Sequence, residues 1–98
     1  MYANADLQNV PQWQGTLADL REEIGHSLAV FLFDSPDPPD EWSAVMTREG
    51  LLSAEPGRAV PREDWALAVA LWLKDEAAFT LTYPQRAQLL RRFGFGLT

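Results

Sequence analysis

The chain has 98 residues, no cysteine, four Trp and a formal net charge of −6. That length fits one domain with a modest core, and an apolar share of 47% argues against disorder. The missing cysteine excludes disulfides, thiolate metal sites and a Cys nucleophile, and the acidity disfavours direct binding to nucleic acid or to an anionic membrane. The charge is uneven. Residues 1–83 hold 5 Lys/Arg and 14 Asp/Glu, whereas residues 84–98 hold 3 Arg and no acid.

Residues 1–15 read as an extended arm, with Tyr2, Leu7, Val10 and Trp13 available to pin it and Pro11 and Gly15 interrupting any helix. The arm has neither a basic n-region nor an apolar h-region, so no signal peptide is expected and the expected location is cytoplasmic. Thr16 suits an N-cap, with Asp19 three residues on as an approximate capping box. Leu17, Leu20, Ile24, Leu28 and Phe31 then keep helical spacing as far as Phe33. Gly25 is the weak point of that helix, costing about 1 kcal/mol against Ala. If Gly25 ended the helix instead, Ser27–Phe33 would be a strand able to pair with Ala77–Tyr83, where Phe79, Leu81 and Tyr83 alternate.

Asp34 to Glu41, DSPDPPDE, reads as a linker whose three prolines favour polyproline II. In that conformation Asp34, Asp37 and Asp40 fall along one edge, about 9 Å apart. Together with Glu41 they would offer a stiff acidic surface to Lys or Arg of a partner. A helix then runs from about Pro39 through Trp42, Val45 and Met46 to Glu49, with Gly50 as its cap. Leu51 to Val60 is a loop.

The chain is organised around Pro61–Glu76. Pro61 fits the first helical turn, and Glu63 and Asp64 sit at the positive end of the helix dipole with Lys74 near the other. All nine residues from Trp65 to Leu73 are apolar, too few to span a membrane, which takes about 20. A helix that is apolar all round must be covered all round. Either the rest of the chain wraps it or one face meets a second chain, and in the second case the face of Leu67 and Leu71 is the predicted homodimer surface. A last helix is expected over 83–93, with Thr82 as its cap, Pro84 in its first turn, and Ala87, Leu90 and Phe93 as its buried stripe. Gly94 fits the position after its end, with Phe95 folding back as a Schellman motif requires.

The expected fold is therefore all-α, a single domain of four helices at about 16–33, 39–49, 61–76 and 83–93. The alternative is α+β with a two-stranded element from 27–33 and 77–83.

No phosphate loop, no nucleophile elbow and no paired-His metal motif is present. His26 is the one histidine, too few for a His-based metal site. Nothing in the carboxylate spacing selects an acid–base pair. No cofactor or metal is expected. The partner-binding candidates are Asp34, Asp37, Asp40 and Glu41, together with Trp13 and Trp42 as half-exposed aromatic anchors. Gln85, Arg86, Gln88, Arg91 and Arg92 form the one basic cluster and admit a helix-turn-helix reading, but the connection before them exceeds the about 3–4 residues of that motif. The Trp-rich helix followed by LTYPQRAQLLRRFGF resembles small phage tail-assembly chaperones, which implies an assembly factor of phage or mobile-element type. No residue role is carried over from it. The expected function is a non-enzymatic protein that binds another protein as inhibitor, adaptor or assembly factor. A sharper form is an acidic inhibitor occupying a nucleic-acid-binding surface of its target.

Overall fold

The computed structural model describes residues 16–96; the expected arm, with Trp13, lies outside them. Among the described residues the fold is all-α, with five helices and no strand: α1 Leu17–Phe33, α2 Asp40–Glu49, α3 Pro61–Lys74, α4 Glu76–Thr82 and α5 Pro84–Arg92, plus one 3-10 turn, Pro56–Arg58. The expected count of four is corrected by α4. Asp75 leaves the helical region (φ −162°, ψ 92°), ending α3, and its carboxylate accepts from the Ala78 N–H at 3.0 Å, starting α4. The stretch whose alternating apolar residues suggested a strand is thus a capped seven-residue helix that inserts Phe79 into the core. Nor does Thr82 cap the last helix. Its hydroxyl donates to Ala78 O within α4, and Tyr83 takes the cap position of α5.

Two termini form as the sequence requires. The Thr16–Asp19 capping box is complete, Asp19 N–H to Thr16 Oγ1 at 3.2 Å and Thr16 N–H to Asp19 Oδ2 at 2.9 Å. At the other end Gly94 adopts a positive φ of 109°, and the Gly94 and Phe95 N–H groups donate to Arg91 O and Leu90 O at 3.0 and 2.9 Å. These are the two bonds of a Schellman motif. It returns Phe95 onto Trp65 and Trp72, edge to face, at 5.9 and 6.0 Å between ring centroids.

α3 is the axis. Trp65, Ala66, Ala68, Val69, Ala70 and Trp72 are buried, and the core around them takes side chains from every other helix. Trp65 is the hub of the aromatic set, with Phe33, Trp42, Phe93 and Phe95 around it at 5.2, 5.1, 5.9 and 5.9 Å. Each such pair adds about 0.5–1.5 kcal/mol beyond area burial. Leu67 and Leu71, the predicted homodimer face, are half-buried within the chain, and Leu71 packs on the core.

Helix α1 is continuous through Gly25, and the packing explains that residue. A Cβ at position 25 would lie 2.9 Å from Ala66 Cα, and the Trp65 indole N–H donates to Gly25 O at 2.8 Å. Gly25 and Ala29 are the two buried residues of α1. Gly25 therefore allows α1 to approach the α3 backbone closely; it does not end the helix.

Candidate protein-interaction surface

The consequence of that small-residue contact is on the opposite side of α1. Positions 17, 20, 24, 28 and 31 form one stripe, about 120° around the helix from the Gly25–Ala29 line at 3.6 residues per turn. Apolar residues at this spacing ordinarily mark the face turned to the core. Here Leu17, Leu20, Ile24 and Phe31 are 60%, 45%, 40% and 82% exposed. Leu28 alone in the stripe reaches the core cluster. Among the described residues, α3 is the only helix with which α1 shares an extended interface, so no second helix covers the stripe at Leu17, Leu20, Ile24 and Phe31.

Of the remaining candidates Trp42 and Arg86 are buried, Asp37, Glu41, Arg91 and Arg92 are ion-paired at the surface, and Asp34 and Asp40 are exposed. Trp42 is fully buried, so it is part of the core and not a half-exposed anchor. Its indole N–H donates to Asp64 Oδ2 at 2.9 Å. The Asp34–Glu41 segment is not a straight rod. Asp34 closes α1 in the left-handed region (φ 53°, ψ 36°), the chain turns again where the Asp37 N–H donates to Ser35 Oγ, and Pro38 is buried. Asp40 is the first residue of α2, Asp37 holds Arg62 through two hydrogen bonds of 3.0 and 3.3 Å, and Glu41 lies 3.5 Å from Arg92. The bond to the Asp37 carboxylate, then its charge, raises the Arg62 pKa. Asp34, Asp37 and Asp40 therefore do not form one aligned edge.

The basic cluster is divided in the same way. Arg91 pairs with Glu76 at 3.0 Å and lies over the Trp72 ring at 4.7 Å, while Arg86 is fully buried. Arg86 donates to both oxygens of Asp64 (2.9 and 2.8 Å), to Glu49 Oε1 (3.2 Å) and to Gly50 O (2.6 Å). Glu49 also accepts from the Gln85 and Arg86 N–H groups at the start of α5, which has no side-chain cap of its own. This network joins α2, α3 and α5 and satisfies every group in it, the condition under which buried charge is tolerated. The sequence reads Asp64 as a helix-dipole charge and Arg86 as one of the basic cluster, open to base contacts or to pairing with the acidic bulk, and marks neither as buried. The available signal was helical phase: Asp64 shares a line with Ala68 and Trp72, and Arg86 shares one with Leu90 and Phe93.

A shallow cleft lined by Asp19, Glu22, Glu23, His26, Arg58 and Glu63 contains the one histidine. His26 Nε2 lies 3.6 Å from Glu63, and Arg58 pairs with both Glu22 and Glu63. The lining holds no Ser or Thr. Among the described residues no group of three or more His, Asp or Glu is placed to hold a metal ion, and no helix is long and apolar enough to cross a membrane. No protein-family model, curated protein or solved structure matches the chain.

Proposed function

We propose that this chain is a non-enzymatic protein-binding module whose binding surface is the apolar stripe of α1. The observation that carries the reading is the inversion on that helix: the small residues face the core, and Leu17, Leu20, Ile24 and Phe31 face water. With Leu28, these side chains expose on the order of 450 Å² in one contiguous strip, within the size range of the largest patch a typical monomer carries, which is often functional. A long, straight apolar stripe suits a helix as its counterpart, since two helices interlock ridge into groove along their length. The acidic linker and the basic cluster support the reading less well, because Asp37, Glu41, Arg91 and Arg92 are each paired within the chain, with Arg62, Arg92, Glu76 and Glu41.

The test is affinity capture with the tagged chain, wild type and Ile24→Glu, from lysate of its native host at low and high salt. The proposal expects a stoichiometric chain, foreign or an untagged copy of this one, that stays bound at high salt and is lost with Ile24→Glu. Retention that is released by salt and indifferent to Ile24→Glu would shift the binding surface to the acidic side. No retained chain at all would remove the proposal.

A further inference from the structure

We infer that the helix seated on the α1 stripe is α1 of a second copy, running antiparallel, so that the chain forms a two-fold dimer. The inference rests on the reading of α1 as a binding surface and names the occupant. Its first support is the spacing. The stripe positions 17, 20, 24, 28 and 31 are separated by 3, 4, 4 and 3 residues, the same in both directions about Ile24. A two-fold interface uses one patch twice, residue i meeting j and j meeting i, and for two antiparallel helices that is met by a pattern that reads alike from either end. With Ile24 on the axis, Leu20 meets Leu28 and Leu17 meets Phe31 of the other copy. The large Phe31 at one end is thereby matched with the well-exposed Leu17 at the other.

The second support is charge. The ionised residues of α1, Asp19, Arg21, Glu22 and Glu23, all lie in its first half, and Ser27–Phe33 carries none. Parallel pairing would set two acidic halves side by side. Antiparallel pairing sets each acidic half against an uncharged one and also opposes the two helix dipoles favourably. The third support is area. Two stripes together present on the order of 900 Å² before the flanking residues are counted, close to the about 1,000 Å² that a specific interface needs. Four of the five stripe residues, Leu17, Leu20, Ile24 and Phe31, are exposed as the chain stands, so a second copy can reach them without displacing the α3 contact.

The chain has no cysteine, which makes single-Cys variants clean reporters. The full-length chain is first run by sedimentation velocity over a range from low to high micromolar. Oxidation is then followed for Ile24→Cys alone, for Leu17→Cys alone and for Leu17→Cys mixed with Phe31→Cys. The expected results are a wild-type dimer, a monomer for Ile24→Glu, and an unchanged dimer for Leu81→Glu, a residue of α4 that is 85% exposed outside the stripe. Ile24→Cys should cross-link to itself, and Leu17→Cys should cross-link to Phe31→Cys and not to itself. A wild type that stays monomeric over the whole range overturns the dimer. If Ile24→Glu nevertheless abolishes capture of a foreign chain, the stripe remains a binding surface with a different occupant. Self-cross-linking of Leu17→Cys in preference to the mixed pair overturns the antiparallel arrangement. Dimers lost with Leu81→Glu and kept with Ile24→Glu place the contact elsewhere.

Discussion

Toward α2 and α5, α3 is gripped by large side chains: Trp42 and Phe93 close around Trp65, Leu90 is fully buried in the same core, and Arg86 reaches Asp64 through a bidentate pair. Toward α1 the same helix is met by Gly25 and Ala29, with one large ring, Phe33, added against Trp65 at the last residue of α1. The first contact is made by volume and by satisfied charge, the second by close approach of two backbones. The difference matters because α1 does not lack large apolar residues; it carries five in register and turns four of them to water. A helix whose only task was to cover α3 would have its faces the other way round. The comparison therefore separates residues that hold the fold from residues that serve a contact beyond it.

Four substitutions sharpen or break this contrast, and the largest effect belongs to the α3 hub. Trp65→Ala removes a fully buried ring that packs on four others and donates to Gly25 O, and should cost about 3–5 kcal/mol of unfolding free energy in urea titration. Arg86→Ala should cost a similar about 3–5 kcal/mol, because it leaves Asp64 and Glu49 buried beside each other without their cation. A loss below about 1 kcal/mol would show that the network is hydrated and not a structural tie. Gly25→Ala should be destabilising by about 1–2 kcal/mol, since the strain of overpacking against the Ala66 backbone exceeds the about 1 kcal/mol that Ala gains in helix propensity. Were Gly25→Ala stabilising, the close approach of α1 to α3 would be disproved. Ile24→Glu, on the other side of the same helix, should change the stability of the isolated subunit by no more than about 0.5 kcal/mol.

Much of the fold was legible from local chemistry. Thr16, Pro61, Gly50, Gly94 and Phe95 each mark a terminus by a mechanism that needs no tertiary partner, and each holds a helix end in the structure. Legibility failed where a residue's role depends on what lies across from it. Asp75 reads equally as the end of one helix or the cap of the next, and only Phe79 finding the core decides between them. Gly25 reads as a break until Ala66 is seen beneath it. The α1 stripe was visible as a pattern, but the pattern gives the phase of a helix and not which phase faces inward. That was settled by Gly25 and Ala29, whose small size permits an approach that Leu or Phe would block. Trp42 misled in the opposite sense: its place in a short helix beside an acidic linker suggested exposure, and its indole is instead the third donor to the buried Asp64.

The central claim is that Leu17, Leu20, Ile24 and Phe31 of α1 are surface and that Gly25 and Ala29 are its core contact with α3. Equilibrium unfolding of Ile24→Glu and Ala29→Glu beside the wild type, at the lowest protein concentration fluorescence allows, tests it most directly. The account predicts that Ile24→Glu unfolds within about 0.5 kcal/mol of the wild type, whereas Ala29→Glu, forced into a fully buried site, loses several kcal/mol or fails to fold. A loss of several kcal/mol for Ile24→Glu in the dilute monomer would contradict it, and would return the stripe to the core of the single chain.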